Sequence, residues 1–140
     1  MATKSWGRAL ISLTSLLTAA GPYKADWNET HVKNPAWPPH AKFHNGQTMS
    51  LGLALGVTSL WQLWRAPSSR EGLDAGATLA SLYWLTQISA LAYPGAKAVD
   101  PPGTAKFPQA VVAFPALAVT ALGYVLERRR LTDQARMLRS

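Results

Sequence analysis

Asp, Glu, Lys and Arg are absent from four stretches of the chain, residues 9–23, 43–64, 75–96 and 107–126, and crowd into the segments between them. A hydrocarbon core penalises every charge buried in it, and a spanning helix needs about 20 mostly apolar residues. The last three stretches meet that length and the first is short. The pattern predicts an all-α fold, an integral membrane four-helix bundle forming a single membrane domain over residues 1–140. The expected helices run over about 6–22, 40–64, 74–93 and 107–127, with a structured polar outer loop at 23–47 between helices 1 and 2.

Boundary residues support this division. Trp6 and Arg8 suit a membrane interface at the start of the first helix, and Gly21-Pro22 suits its end. Pro38-Pro39 precedes the second helix, which closes on Trp61 and Trp64 just before Arg65. Gly52 and Gly56, four apart, permit close helix packing and suggest a homodimer through that face. Tyr93-Pro94-Gly95 stops the third helix, and Pro115 predicts a kink inside the fourth. The first stretch also fits a cleaved signal peptide, with Lys4 and Arg8 as its basic region and Thr18-Ala19-Ala20 as its cleavage site.

Composition changes the picture in three ways. Charged residues make up only 15% of the chain, so the mean hydropathy of −0.01 averages apolar helices with polar connectors. The absence of cysteine excludes disulfides, a thiolate nucleophile, Cys-ligated zinc and iron–sulfur clusters. The formal charge of +7 is distributed by segment rather than interleaved with aromatics on one face, which argues against a nucleic-acid partner. Counting alternate segments, one side holds nine basic residues (Lys4, Arg8, Arg65, Arg70, Arg128, Arg129, Arg130, Arg136, Arg139) and the other five (Lys24, Lys33, Lys42, Lys97, Lys106). The excess predicts a multi-pass protein with both termini cytosolic and the polar loop luminal or extracellular. Arg128, Arg129 and Arg130 then sit against anionic headgroups.

The connector at 24–47 holds all three histidines together with Asp26, Asn28, Glu29, Asn34, Asn45, Gln47, Trp27 and Trp37. A hairpin between membrane helices needs only a few turn residues, so this composition asks for a chemical reason. If the second helix begins at the proline pair, His40, His44 and Gln47 fall at i, i+4 and i+7 and share a face. Three uses compete. Asp26 or Glu29 as base with His31, His40 or His44 as proton donor or relay would serve acid/base chemistry on a lipophilic substrate. His40 and His44 with Glu29, Asp26 or His31 would hold a divalent metal. A folded cap would satisfy its polar groups internally. Candidate substrate-binding residues are Trp27, Asn28, Trp37 and Gln47, joined by Trp84 and Gln87 of the third helix and Gln109 before the fourth. Asn28-Glu29-Thr30 also matches the N-glycosylation sequon.

The run DWNETHVKNPAWPPHAKFHNGQT, residues 26–48, resembles the hallmark of small four-helix membrane proteins of unassigned function found in fungal and bacterial genomes. That resemblance implies the fold and no reaction. A looser architectural likeness to sterol-isomerase-like membrane bundles implies a cavity lined by acids, a histidine and tryptophans, with Tyr83, Trp84, Thr86 and Gln87 as wall residues, and favours proton transfer over metal chemistry.

The expectation is a small membrane enzyme acting without a cofactor on a lipophilic metabolite or lipid by general acid/base catalysis, of an isomerising or epoxide-opening type. The rivals are a non-catalytic membrane adaptor whose loop is a recognition surface, and a metal-dependent membrane enzyme.

Overall fold

The computed structural model describes residues 5–100 and 103–139. Four α-helices carry the fold: α1 (Trp6–Asp26), α2 (Pro39–Arg65), α3 (Arg70–Ser89) and α4 (Ala110–Met137), with a 3-10 turn at Ala90–Ala92 after α3. No strand occurs among the described residues. The helices pack as a ring in which α1 touches α2 and α4, α3 touches the same two, and α1 and α3 meet across the centre.

Helix ends differ from the expected ones for local reasons. Pro22 does not stop α1, which continues to Asp26. Proline lacks the N–H that would bond the Thr18 carbonyl, and α2 approaches that point closely: a Cβ on Gly52 would lie 2.8 Å from both Thr18 O and Pro22 Cγ. α2 starts on Pro39, where a missing N–H costs nothing. α3 starts at Arg70 because Ser69 caps it, its Oγ accepting from the Gly72 N–H at 3.0 Å and donating to the Glu71 carboxylate at 2.8 Å. The Glu71 backbone N–H and that hydroxyl together hold the Glu71 carboxyl below the usual carboxylate range. α4 runs past residue 127 to Met137, so Arg128, Arg129 and Arg130 lie within the helix rather than beyond it.

Small residues fill much of the bundle's interior, and many large apolar side chains lie on the outside. Its interior is built from glycine, alanine, serine and threonine with a few larger residues such as Ile11, Met49, Leu63 and Leu73. Large apolar side chains face outward, among them Leu13 (61% exposed), Val57 (52%) and Leu122 (53%). Interior glycines let backbones touch. Gly52 and Gly56 pack against Thr18, Ser15 and Ala19 of α1, so the close-packing pair is used inside the chain, and a homodimer through it would have to displace α1.

Interior hydroxyls find partners between helices. Ser15 and Ser59 Oγ atoms lie 2.7 Å apart, and Ser59 donates to Gly76 O at 2.7 Å, linking α1, α2 and α3. Thr18 accepts from the Trp84 indole N–H at 2.9 Å. Ser59→Ala removes the shared hydroxyl and its bonds to Ser15 and the Gly76 carbonyl; the expected loss is about 0.5–1.5 kcal/mol, read from thermal unfolding in detergent. A variant as stable as the parent would show that Ser59 does not bridge the three helices.

This interior corrects the expectation of four plainly apolar spans. By length and composition, α4 is the one described helix apolar enough to cross a membrane. α1, α2 and α3 are diluted by interior Gly, Ser and Thr, and α2 also by His40, His44, Asn45 and Gln47 at its outer end.

Arg8 is likewise not an interface residue: its side chain is 0% exposed. Its Nε donates to Glu127 Oε1 at 2.9 Å, one terminal nitrogen donates to the Leu63 carbonyl, and the other donates to Ser69 O at 3.2 Å. Leu63 lies in the last turn of α2, where carbonyls lack intrahelical partners and the helix dipole is negative. Glu127, 1% exposed, also accepts from Arg130 Nε at 3.0 Å and from its terminal nitrogen at 2.6 Å.

Candidate functional site

At the opposite end of the bundle a cleft of ≈ 620 Å³ opens between α1 and α4 with α3 behind it. Away from the cleft α1 and α4 are in close contact, Gly7 meeting Gly123 and Thr14 Oγ1 reaching Ala116 O at 3.4 Å. Leu17, Gly21, Pro22 and Val112 form the apolar lips, Tyr83 and Trp84 the back wall. Asp26, His31, Thr48, Gln87 and Gln109 supply the polar end, with Lys24 on the rim.

Two local features bring the carboxylate and imidazole together. The additional turn of α1 beyond Pro22 carries Asp26 to the cleft. An Asn-centred turn then folds the chain back: Asn28 Oδ1 accepts from the Thr30 N–H at 2.9 Å and from the Thr30 hydroxyl at 2.7 Å, while the His31 N–H reaches Asn28 O at 3.3 Å. His31 Nε2 ends 3.8 Å from Asp26 Oδ1. Its Nδ1 lies 2.8 Å from Thr30 Oγ1. Nδ1 thus meets the Thr30 hydroxyl and, at 3.2 Å, Asn28 Oδ1, while Nε2 faces Asp26. Trp37 packs edge-on against the imidazole at 5.4 Å between ring centroids. Asp26 Oδ2 accepts from Asn45 Nδ2 at 2.8 Å, which fixes the carboxylate to α2.

The other candidates are distributed differently. His40, His44 and Gln47 do share a face, with His40 Nε2 and His44 Nε2 3.0 Å apart and His44 Nδ1 3.2 Å from Gln47 Oε1, but that face is exposed and outside the cleft. Glu29 is exposed on the turn. Trp27 is exposed beside Tyr23. Asn28 shapes the turn rather than lining the cleft. Trp84, Gln87 and Gln109 all line it. Among the described residues no three His, Asp or Glu side chains gather as a metal-ligand set.

Thr48 and the orienting role of Asn45 were not expected from the sequence. The signal was available in the glycine stripe. Extending the α1-facing positions Gly52 and Gly56 outward by helical periodicity reaches Met49, Thr48 and Asn45, whereas His40, His44 and Gln47 fall on a different stripe.

A family model described as a family of unknown function (DUF6640) matches residues 10–137. No curated protein and no solved structure matches the chain.

Proposed function

Because the chain belongs to this family of unknown function, its activity must be derived from its own side chains, and we propose that it is a four-span integral membrane enzyme performing acid/base chemistry on a lipophilic molecule. The membrane reading rests on the exterior. Outward-facing aromatics form two bands: Trp6, Trp61 and Trp64 at the inner end, Trp27, Phe43 and Tyr93 at the outer. Trp6 and Trp27 bracket α1, a separation of about 30 Å at 1.5 Å per helical residue, which matches the hydrocarbon thickness of a bilayer. Between the bands most exposed side chains are apolar, with Ser50, Thr58, Thr78 and Thr86 as exposed hydroxyl residues, while Ser15, Ser59 and Thr18 turn inward and bond across helices. The nine-to-five division of basic residues then favours cytosolic termini and an outward-facing cleft.

The chemistry is carried by one observation: an Asp26–His31 pair at 3.8 Å stands at the polar end of a cleft whose lips and back wall are apolar. Asp26 removes a proton from the bound molecule, and His31 delivers one from Nε2 to a second position. Proton return between the two groups restores the starting state, so an isomerisation balances without a cofactor. Opening a strained ring follows the same roles, with His31 protonating the leaving oxygen. Leu17, Val112 and Trp84 keep water from the apolar part of the molecule.

Proton removal and return at carbon exchanges hydrogen with solvent. Membrane lipid extract incubated in D2O with the purified protein is therefore expected to yield a species that gains deuterium, resolved by mass spectrometry. Asp26→Asn is expected to slow that gain by about 100-fold or more, while Asn at this position still accepts from Asn45. No deuterium gain with the unaltered protein would contradict the acid/base reading.

A further inference from the structure

Most amide and carboxylate oxygens at the polar end of the cleft lack donors. Gln109 commits its Nε2 to Ala98 O at 2.9 Å, and its Oε1 is buried without a hydrogen-bond partner among the described residues. Asn45 commits its Nδ2 to Asp26, and its Oδ1 is buried and unpartnered in the same way. Because each amide is pinned by its nitrogen, neither can turn to present a donor instead. Gln87 Oε1 is a third buried acceptor without a partner. Asp26 Oδ1 has only the imidazole at 3.8 Å. Of the nearby donors, the Trp84 indole N–H goes to Thr18 and the Thr48 hydroxyl to His44 O at 3.0 Å, which leaves the Tyr83 hydroxyl and the Gln87 amide nitrogen, fewer than the acceptors they face. Lys24 stands on the rim in water. A buried acceptor left unmet is costly, so the site asks for a molecule that brings donors.

We infer that the ligand of this cleft is a lipophilic amine bound as its ammonium ion, with the N–H groups donating to Asp26, Gln87 and Gln109 and the apolar part lying along Leu17, Trp84 and Val112. A primary ammonium has three donors and no lone pair, which matches the acceptors carried by three cleft residues, Asp26, Gln87 and Gln109. An alcohol brings one donor and adds lone pairs. A carboxylate brings only acceptors and repels Asp26. The inference rests on the cleft being a ligand site.

The test is titration calorimetry on the full chain in lipid nanodiscs, with empty nanodiscs subtracted. The probes are dodecylamine, dodecyltrimethylammonium, dodecanol and dodecanoate. Saturable binding of dodecylamine is expected at least about tenfold tighter than that of the trimethylated analogue, which keeps the charge and lacks N–H donors. Gln109→Leu and Gln87→Met are each expected to weaken amine binding by a similar factor; the second removes no internal hydrogen bond and protects the test against misfolding. Equal or tighter binding of the trimethylated probe, the alcohol or dodecanoate, sensitive to Gln87→Met, would overturn the amine and leave the cleft a ligand site. No saturable binding of any probe would overturn both.

Discussion

Arg8→Ala is expected to cost about 3–5 kcal/mol of stability, the usual consequence of removing one partner from a fully buried ion pair. The guanidinium ties three helices and a loop together: Glu127 of α4, the terminal carbonyl of Leu63 in α2, and Ser69 ahead of α3, all from a position on α1. Truncation leaves Glu127 buried with Arg130 alone and takes the side-chain donor from the Leu63 carbonyl, while Ser69 O keeps the Leu73 N–H. Arg8→Lys is expected to recover little, since an ammonium cannot place its donors in the guanidinium's planar fork. Arg8→Leu combined with Glu127→Leu is expected to be more stable than Arg8→Ala, because the stranded carboxylate goes with the arginine. Thermal unfolding in detergent measures all three. A loss below about 1 kcal/mol for Arg8→Ala, the range of exposed pairs, would show that the arginine is not buried with Glu127.

Gly7→Val is expected to be comparably severe, about 3 kcal/mol or more. A Cβ at Gly7 would press on the Gly123 carbonyl and lie 2.6 Å from both the N and Cβ of Glu127. The opposing contact is also tight, a Cβ on Gly123 meeting Gly7 O at 2.7 Å. Backbone on both sides cannot yield as a side chain would, so α1 and α4 must separate, drawing the adjacent Arg8 away from Glu127. Gly46→Ala is the control, because nothing lies within 4 Å of its Cβ and the position is helical. It is expected to be neutral or stabilising by up to about 1 kcal/mol. Equal melting temperatures for Gly7→Val and Gly46→Ala would remove close α1–α4 packing from the account.

The charge-free stretches located all four helices because charge position is a strong local signal. Their ends were less legible. Pro22 looked like a stop because its accommodation depends on Gly52, a residue thirty positions away on another helix. Arg8 looked like a boundary charge for the same reason: its partner Glu127 is 119 residues away, and only the closed ring brings them together. In the site, Trp84, Gln87 and Gln109 were legible from their polar or aromatic character within apolar helices, and Asp26 and His31 from the dense motif. Glu29, His40 and His44 belong to the same motif yet lie elsewhere. The direction of a side chain depends on which stripe of α2 meets α1, and the glycines rather than the histidines mark that stripe.

An apolar exterior that faces lipid, with the cleft opening on the side opposite the termini, fixes which surface positions a water-borne reagent can reach. The chain has no cysteine, so single-cysteine variants need no altered background. Intact cells and inside-out vesicles, treated with a membrane-impermeant maleimide, separate the alternatives most directly. Ala36→Cys in the outer loop should label in intact cells and Ser68→Cys between α2 and α3 only in inside-out vesicles, both positions being exposed in the fold. Val57→Cys and Leu122→Cys, outward-facing in mid-helix, should label in neither until the membrane is dissolved in denaturant. Labelling of Val57→Cys and Leu122→Cys as fast as Ala36→Cys, or of Ala36→Cys and Ser68→Cys from one side, would contradict the account.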